Sequence, residues 1–197
     1  MPSVIIQGKP LRLAVPRGFT NIRAVAPSIF EEYRRAQRVL ALYIDSCHLG
    51  GTCSSAVQLL DPFIEVLMPE SGSFVRTMTN EFFESCKFEV AQNILGAGCG
   101  SVLPAEASPR PQSVFADGPG WFSCCSLKYV KKADATAQKD SFAPSVSGNI
   151  VFLIREHPII VNLHKSADAN NPLESFNWLK NVTRDYRGLL LRINGLI

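Results

Sequence analysis

The amino-acid sequence predicts an α+β fold, in which three helices pack on a mainly antiparallel sheet of about six to eight strands as a layered α/β sandwich. Two observations support this prediction. Short apolar runs follow one another across turn-rich connections, which is typical of antiparallel neighbours. Three other segments carry one apolar stripe at three- and four-residue spacing, which is typical of helices that cover a sheet. No internal repeat is visible, so residues 1–197 are predicted to form a single domain.

The first half of the chain is predicted to contain four strands and one short helix. The strands are the apolar runs Val4–Ile6, Leu11–Val15, Val39–Ile44 and Phe63–Met68. The first two flank the turn-rich segment Gln7–Pro10 and predict an opening hairpin or two short strands. Ser28 and Glu31 have the spacing of a capping box, in which two side chains satisfy the free amides at a helix start. A helix is therefore predicted from Ser28 to about Arg38.

The second half is predicted to contain four more strands and two longer helices. The strands are Ser113–Ala116, Phe122–Lys131, Ile150–Ile154 and Ile159–Lys165. The first helix begins near Thr79 and ends at Gly96, with Phe82 and Phe83 in its core stripe and Lys87 mostly outside. Irregular loops, rich in small or polar residues, are predicted at about 96–112 and 132–148.

The last quarter of the chain has the clearest pattern. Ile150–Ile154 is apolar on both sides, which indicates an interior strand covered above and below. The helix Pro172–Ile193 follows, because its apolar residues recur at helical spacing and proline suits the first helical position. Asn171 is predicted to cap its free amides, and Gly195 is predicted to end it.

Composition and charge argue against several classes of function. The chain is 46% hydrophobic and 19% charged, as in ordinary globular proteins. Its net charge is +3 with basic residues spread along the sequence, which argues against a nucleic-acid-binding protein. The N-terminus lacks the basic start of a secretory signal, and no segment approaches the ~20 apolar residues of a membrane span. We therefore expect no nucleic-acid or membrane partner, and a cytoplasmic location, or a periplasmic one if a signal peptide has been removed.

The cysteines and glycines do not predict a metal or cofactor site. The six cysteines form no CxxC pair and no regular disulfide framework. Cys47, His48 and Cys53 share one polar loop, but a zinc site favours a second ligand pair at regular spacing. The glycine-rich string Gly96–Gly100 follows a helix and opens none, so it does not predict a phosphate site. No metal and no cofactor are expected.

A nucleophilic site would pair Cys124 or Cys125 with His164, with Asn162 or Asp117 as the orienting group. The two cysteines are adjacent on a predicted strand and therefore face opposite ways. No helix start follows them to lower a thiol pKa. Buried structural cysteines are the favoured interpretation, and no catalytic residue is predicted.

An aromatic residue beside lysines is the best candidate for a partner-binding surface. Trp121 lies at a hairpin near Lys128, Lys131 and Lys132, and aromatic residues are common interface anchors. His48 is a further candidate because binding is expected on the loops, and this residue lies in the loop Cys47–Ser55. Alternatively, Trp121 packs inward and the lysines protect an edge strand from aggregation. The basic outer face of the last helix, interpreted as a solvated surface, consists of Lys180, Arg184 and Arg187.

The order of elements resembles that of a known class of proteins. An opening strand pair that ends in Pro16–Phe19, a strand that ends near Tyr43–Asp45, and a closing hairpin before a capped helix resemble small bacterial proteins of the PsbP-like α/β/α sandwich class. The resemblance concerns the arrangement of most of the chain. It implies a largely non-enzymatic protein with adaptor, secretion-chaperone or immunity-like roles, and it transfers no catalytic residue.

The expected function is non-catalytic binding of another protein, specifically that of a bacterial immunity protein that binds and blocks a toxin or effector. Three alternatives stay open. The first is a secretion-associated chaperone or adaptor. The second is a small Cys/His-dependent hydrolase, which requires a thiol within hydrogen-bond reach of His164. The third is a small-ligand or lipid carrier, which would show a cavity between sheet and helix.

Overall fold

The computed structural model describes residues 3–6, 8–36, 39–47, 61–69, 78–96, 112–131 and 142–197. Nine strands and four helices lie within these ranges. The strands are β1 (Ser3–Ile6), β2 (Lys9–Arg12), β3 (Phe19–Asn21), β4 (Val39–Asp45), β5 (Phe63–Leu67), β6 (Gln112–Gly118), β7 (Trp121–Lys131), β8 (Phe142–Ile154) and β9 (His157–Ser166). The helices are α1 (Ile22–Val25), α2 (Pro27–Ala36), α3 (Asn80–Gly96) and α4 (Pro172–Ile193).

Seven strands form one sheet in the order β3-β4-β5-β9-β8-β7-β6, and β1 and β2 form a separate two-stranded sheet. Every neighbouring pair in the large sheet is antiparallel. The β8–β9 hairpin turns at Arg155 and Glu156, whose φ angles of 51° and 64° match the two-residue turn that such hairpins favour. The predicted α+β fold with a mainly antiparallel sheet is confirmed. The short elements β3 and α1 have no counterpart in the sequence prediction.

α4 covers one face of the large sheet with a closely packed apolar core. The side chains that meet there, each at most 1% exposed, include Phe152, Val161, Leu163, Phe176, Leu179 and Leu190. Ile6 and Leu11 extend this core onto the β1–β2 pair. The Tyr186 hydroxyl donates to the Ala14 carbonyl at 2.9 Å, which ties α4 to the segment after β2. Of the helices that the structure describes, none combines the length and apolar character that a membrane crossing requires.

The remaining helices cover the two ends of the opposite sheet face. α3 packs on β7 through Phe83 and Phe122, whose ring centroids are 6.0 Å apart. α1 and α2 pack on β4, where Phe30 shares a buried cluster with Leu42 and Ile44. Between these helices, the middle strands β5, β9 and β8 carry polar side chains on this face.

The predicted irregular loop at 132–148 is wrong from Phe142 onward, because β8 begins there. Small and polar residues fill most of 142–149, a composition that is also typical of loops. In the structure this segment pairs with β7 on one side and, from Ser145 onward, with β9 on the other. Two ladders of backbone hydrogen bonds outweigh its low strand propensity. Residues 97–111 and 132–141, which hold the rest of both predicted loops, lie outside the described residues.

Two predictions about α3 are also wrong. Phe82 is 51% exposed, whereas its neighbour Phe83 is 1% exposed. Lys87 is buried, with its Nζ 2.6 Å from Glu84 Oε2 and 2.8 Å from Asp117 Oδ2. Because Asp117 belongs to β6, the lysine becomes buried only when that strand reaches α3. A helical pattern contains no information about such a neighbour.

Gly148 marks a close approach of α4 to β8. A Cβ atom added to Gly148 would lie 2.5 Å from Oγ1 of Thr183. We expect Gly148→Ala to lower the free energy of unfolding by about 2 kcal/mol, as overpacking typically does. Adding Thr183→Ala to this variant should recover most of the loss, because it removes the clashing atom. Chemical denaturation followed by circular dichroism measures both effects.

Gly188→Ala on α4 is the matched control for this prediction. No atom lies within 4 Å of the Cβ position at Gly188, and alanine favours a helix over glycine. This variant should therefore be at least as stable as the parent protein. A loss at Gly148 that Thr183→Ala does not relieve would mean that Thr183 does not lie against Gly148.

Candidate functional site

Three polar side chains form a row across the middle of the sheet, on the face between α2 and α3. Glu65 on β5 lies directly opposite Asn162 on β9, and Asn162 lies directly opposite Asn149 on β8. Directly paired residues project their side chains from the same sheet face. We call Glu65, Asn162 and Asn149 the polar row.

Hydrogen bonds run along the polar row toward the carboxylate. Asn149 Nδ2 donates to Asn162 Oδ1 at 2.8 Å, and Asn162 Nδ2 donates to Glu65 Oε1 at 2.6 Å. The hydroxyl of Tyr33, on α2, donates to Glu65 Oε2 at 2.6 Å. The hydrogen bonds from Asn162 and Tyr33 stabilise a negative charge on Glu65.

Glu65 is held in its ionised form although it is only 5% exposed. Burial by itself would raise the pKa of this carboxyl group. Hydrogen bonds from His164, Asn162 and Tyr33 outweigh that effect, so the pKa of Glu65 lies below its ordinary value. Burial and the adjacent carboxylate raise the pKa of the Tyr33 hydroxyl, which therefore remains a donor.

His164 lies beside the polar row and is accessible to solvent. Its Nε2 atom is 3.4 Å from Glu65 Oε1, and its side chain is 41% exposed. The ring stacks on Phe63, with centroids 4.3 Å apart and planes inclined by 16°. Because an ionised carboxylate only accepts hydrogen bonds, the proton of a neutral His164 is assigned to Nε2. The lone pair on Nδ1 is then left for another partner.

Two serines continue from His164 across the sheet. His164 lies directly opposite Ser147 on β8, and Ser147 lies directly opposite Ser126 on β7. The two serine Oγ atoms are 3.0 Å apart. A cavity of about 510 Å³ adjoins His164 and is also lined by Phe63 and Ser145. A carboxylate, an imidazole and hydroxyl groups therefore share one sheet face, and the imidazole of His164 borders space for a ligand.

The structure does not bring the predicted thiol nucleophiles to His164. Cys124 lies directly opposite Asn149 and is two strands away from His164, a distance of about 10 Å at normal strand spacing. Burial raises the pKa of the Cys124 thiol to about 12, so it is not a nucleophile at neutral pH. Cys125 joins the α4 core on the other face, and burial raises its thiol pKa as well. Both cysteines are buried, in agreement with the favoured interpretation.

Of the residues predicted to bind a partner, Trp121 and Lys128 lie on opposite faces of the sheet. Trp121 is half-buried on the α4 face, where the Arg187 guanidinium lies 4.6 Å from its ring centroid. Lys128 is seven positions further along β7 and so lies on the opposite face. Its Nζ donates to a backbone carbonyl near the end of α3 at 3.0 Å. Of the other candidates, Lys131 ends β7, and His48 and Lys132 lie outside the described residues.

A concave basic surface lies between α4 and the strands β6 and β7, and we call it the basic groove. Its volume is about 320 Å³, and its cationic lining consists of Lys180, Arg184 and Arg187. The described residues that line it include no acidic side chain. Arg187 Nη1 donates to Ser123 Oγ at 2.9 Å, which holds the guanidinium at the groove wall. The basic face of α4, interpreted from sequence as a solvated surface, thus lines a concave groove.

β6 lies at the edge of the described sheet, next to the basic groove. It pairs with β7, and no described strand pairs with its other side. Val114 and Ala116 on β6 line the groove, and Val114 is 45% exposed. The free amide and carbonyl groups of an edge strand are able to pair with another extended segment.

Within the described ranges, no group of three or more His, Cys, Asp or Glu side chains is placed to hold a metal ion. Cys47 is exposed. The other two residues weighed as zinc ligands, His48 and Cys53, lie outside the described ranges.

Comparison with known proteins finds no family model, no curated protein and no solved structure that matches the chain.

Proposed function

We propose that the protein binds another protein, and that this partner presents an acidic, extended segment to β6 and the basic groove. The observation that carries the proposal is the position of three cations in a groove that adjoins an edge strand. Arg184 also contacts Asp185 at 3.0 Å, but both side chains are exposed and such a pair contributes little. The groove therefore keeps its positive character.

Strand addition would use the edge of β6 and the basic groove together. A segment that pairs with the edge of β6 that no described strand occupies gains a ladder of backbone hydrogen bonds. Alternate side chains of that segment project toward α4, because strand side chains alternate between faces. Carboxylates at those positions meet Lys180, Arg184 and Arg187. The backbone ladder supplies affinity, and the charges select an acidic partner.

The immunity and chaperone roles expected from the sequence are two specific kinds of this protein binding. An immunity protein that blocks a toxin or effector, and a chaperone for a secreted effector, both occlude a segment of their partner. Either role requires a stable interface, which typically buries at least about 1,000 Å² in total. The β6 edge and the groove would form the centre of that interface, with the surrounding surface completing it.

Trp121 offers a direct probe of the groove. The chain contains two tryptophans, so Trp178→Phe leaves Trp121, which packs under Arg187, as the only one. Titration with an eight-residue peptide of alternating Glu and Val should change its fluorescence saturably, and less strongly at high salt because the contacts are ionic. Adding Lys180→Glu and Arg184→Glu should weaken binding at least about tenfold, because attraction becomes repulsion.

Two controls separate this site from general charge effects. A variant with Arg23→Glu and Arg192→Glu carries the same change of charge outside the groove lining and should bind like the parent protein. A peptide of alternating Lys and Val should not bind. Undiminished binding by the Lys180→Glu, Arg184→Glu variant would contradict the proposal. Tighter binding of a single-stranded oligonucleotide than of the acidic peptide would contradict it as well.

A further inference from the structure

We infer that the polar row, His164 and Ser147 form a site for acyl transfer to water, with carboxylic esters as the class of substrate. The inference is independent of the proposed protein binding, because the basic groove lies on the opposite face of the sheet. It also differs from the hydrolase considered from sequence, since the nucleophile is a serine and the cysteines take no part.

His164 is placed as the general base. Ionised, buried Glu65 accepts a hydrogen bond from Nε2, which sets the tautomer and leaves Nδ1 ready to take a proton. Stacking on Phe63 restrains the plane of the imidazole ring. His164 also borders the cavity of about 510 Å³, so a reacting group has access to it.

Ser147 is the hydroxyl best placed to give up that proton. It lies directly opposite His164 on the same sheet face, where the Cβ atoms of paired residues are about 5 Å apart. Its hydroxyl contacts that of the buried Ser126 at 3.0 Å. This contact turns the Ser147 oxygen toward β7, and the reaction requires it to rotate about the Cα–Cβ bond toward His164 on β9. Such hydrogen bonds often close only when a substrate is bound.

Asn149 supplies a donor for the oxyanion. It follows Ser147 by two positions on β8 and therefore lies on the same face. Among the described residues, its Nδ2 donates only to Asn162, which leaves the second N–H for a substrate oxygen. Side-chain amides are among the groups that stabilise the oxyanion in acyl transfer. Because Asn162 is itself held by Glu65, the donor is positioned before substrate arrives.

The reaction is ester hydrolysis in two steps. Ser147 Oγ attacks the ester carbonyl carbon while its proton passes to His164 Nδ1, and the carbonyl electron pair moves to oxygen beside the Asn149 N–H. Collapse of this intermediate breaks the bond to the leaving alcohol, which takes the proton from His164. Water then attacks the acyl group on Ser147, with His164 again accepting and returning a proton. The products are a carboxylic acid, an alcohol and the free Ser147 hydroxyl.

The test uses the full chain with a fluorophosphonate and with 4-nitrophenyl acetate. The fluorophosphonate should form a covalent bond to Ser147 Oγ with loss of fluoride, detected by intact mass and peptide mapping. The parent protein should also release 4-nitrophenolate from the acetate ester. Ser147→Ala should abolish labelling, and both Ser147→Ala and His164→Gln should lower the hydrolysis rate at least about 100-fold. Circular dichroism confirms that each variant is folded.

Glu65 acts through His164 and is therefore a positioning residue. Glu65→Gln should lower the maximal rate of labelling without changing the fluorophosphonate concentration that gives half of that rate. A merely structural role would not separate these two quantities.

Ser85→Ala is the control for the nucleophile. Ser85 is an exposed serine on α3 whose hydroxyl donates to the Phe82 carbonyl at 2.7 Å, and it belongs neither to the cavity lining nor to the reacting groups. This variant should be labelled and should hydrolyse the ester like the parent protein. Three results would each overturn the inference: no adduct on the folded parent protein, an adduct at a residue other than Ser147, or an unchanged hydrolysis rate in Ser147→Ala.

Discussion

Glu65→Ala is expected to lower the free energy of unfolding by about 3 kcal/mol, a loss typical of removing a charged hydrogen-bond partner. The carboxylate accepts hydrogen bonds from Tyr33, Asn162 and His164. Removing it leaves these donors without their acceptor and opens space between α2 and β5. Chemical denaturation at neutral pH measures the loss. A change below about 0.5 kcal/mol, as at ordinary surface positions, would show that the polar row does not stabilise the fold.

The ionisation of Glu65 should also make the free energy of unfolding depend on pH in acid. Its pKa in the folded state is below the ordinary value. The stabilisation that ionised Glu65 gives the folded state is therefore fully present above about pH 4.3, the ordinary pKa of glutamate. This stabilisation is lost as the pH falls through the lower folded-state pKa. The stability difference between the parent protein and Glu65→Gln should narrow across that range. The difference between the parent protein and Asn149→Ala, which removes no titratable group, should stay constant.

Phe83→Ala is expected to cost about 4 kcal/mol and to loosen α3 more than α4. Its ring is 1% exposed and stacks on Phe122, which stacks in turn on Phe115 with centroids 6.1 Å apart. These rings attach α3 to β6 and β7. Replacing a core phenylalanine by alanine typically costs about 3–5 kcal/mol, because a cavity remains. Hydrogen exchange should show the amides of α3 becoming less protected than those of α4.

The adjacent Phe82→Ala variant is the control, since it makes the same chemical change on the same helix. Phe82 is 51% exposed, so its replacement should change stability by at most about 0.5 kcal/mol. Equal losses in the two variants would mean that a different face of α3 meets the sheet.

The predictions were most accurate where the signal is local. The bounds predicted for the last helix, Pro172–Ile193, are those of α4, because a proline start and an apolar stripe depend on neighbouring residues alone. Gly195 adopts a φ of 68°, which suits the end of a helix. The predicted cap is wrong in one detail: the Asn171 side chain caps no backbone amide, and its Nδ2 donates to Glu174 Oε2 at 2.9 Å instead.

The candidate sites were harder to predict because their residues are distant in sequence. Glu65 interrupts an otherwise apolar strand, and a charge in that position is a signal of a buried partner. The sequence does not identify that partner, since Asn162 is 97 positions away. The basic groove was missed for a similar reason. The spacing of Lys180 and Arg184 shows that they share a helix face, but only packing shows that this face borders an edge strand.

Local patterns therefore determined the α+β class, most of the elements and the face on which each strand residue lies. A period of two residues separates the two faces of a strand, and a period near 3.6 separates the two sides of a helix. Neither period specifies which strands become neighbours, or in which register. Tertiary structure alone decided the order β5-β9-β8, which aligns Glu65, Asn162 and Asn149. The physical reason is that strand order and register depend on the shared burial and hydrogen bonding of distant segments, which no local pattern contains.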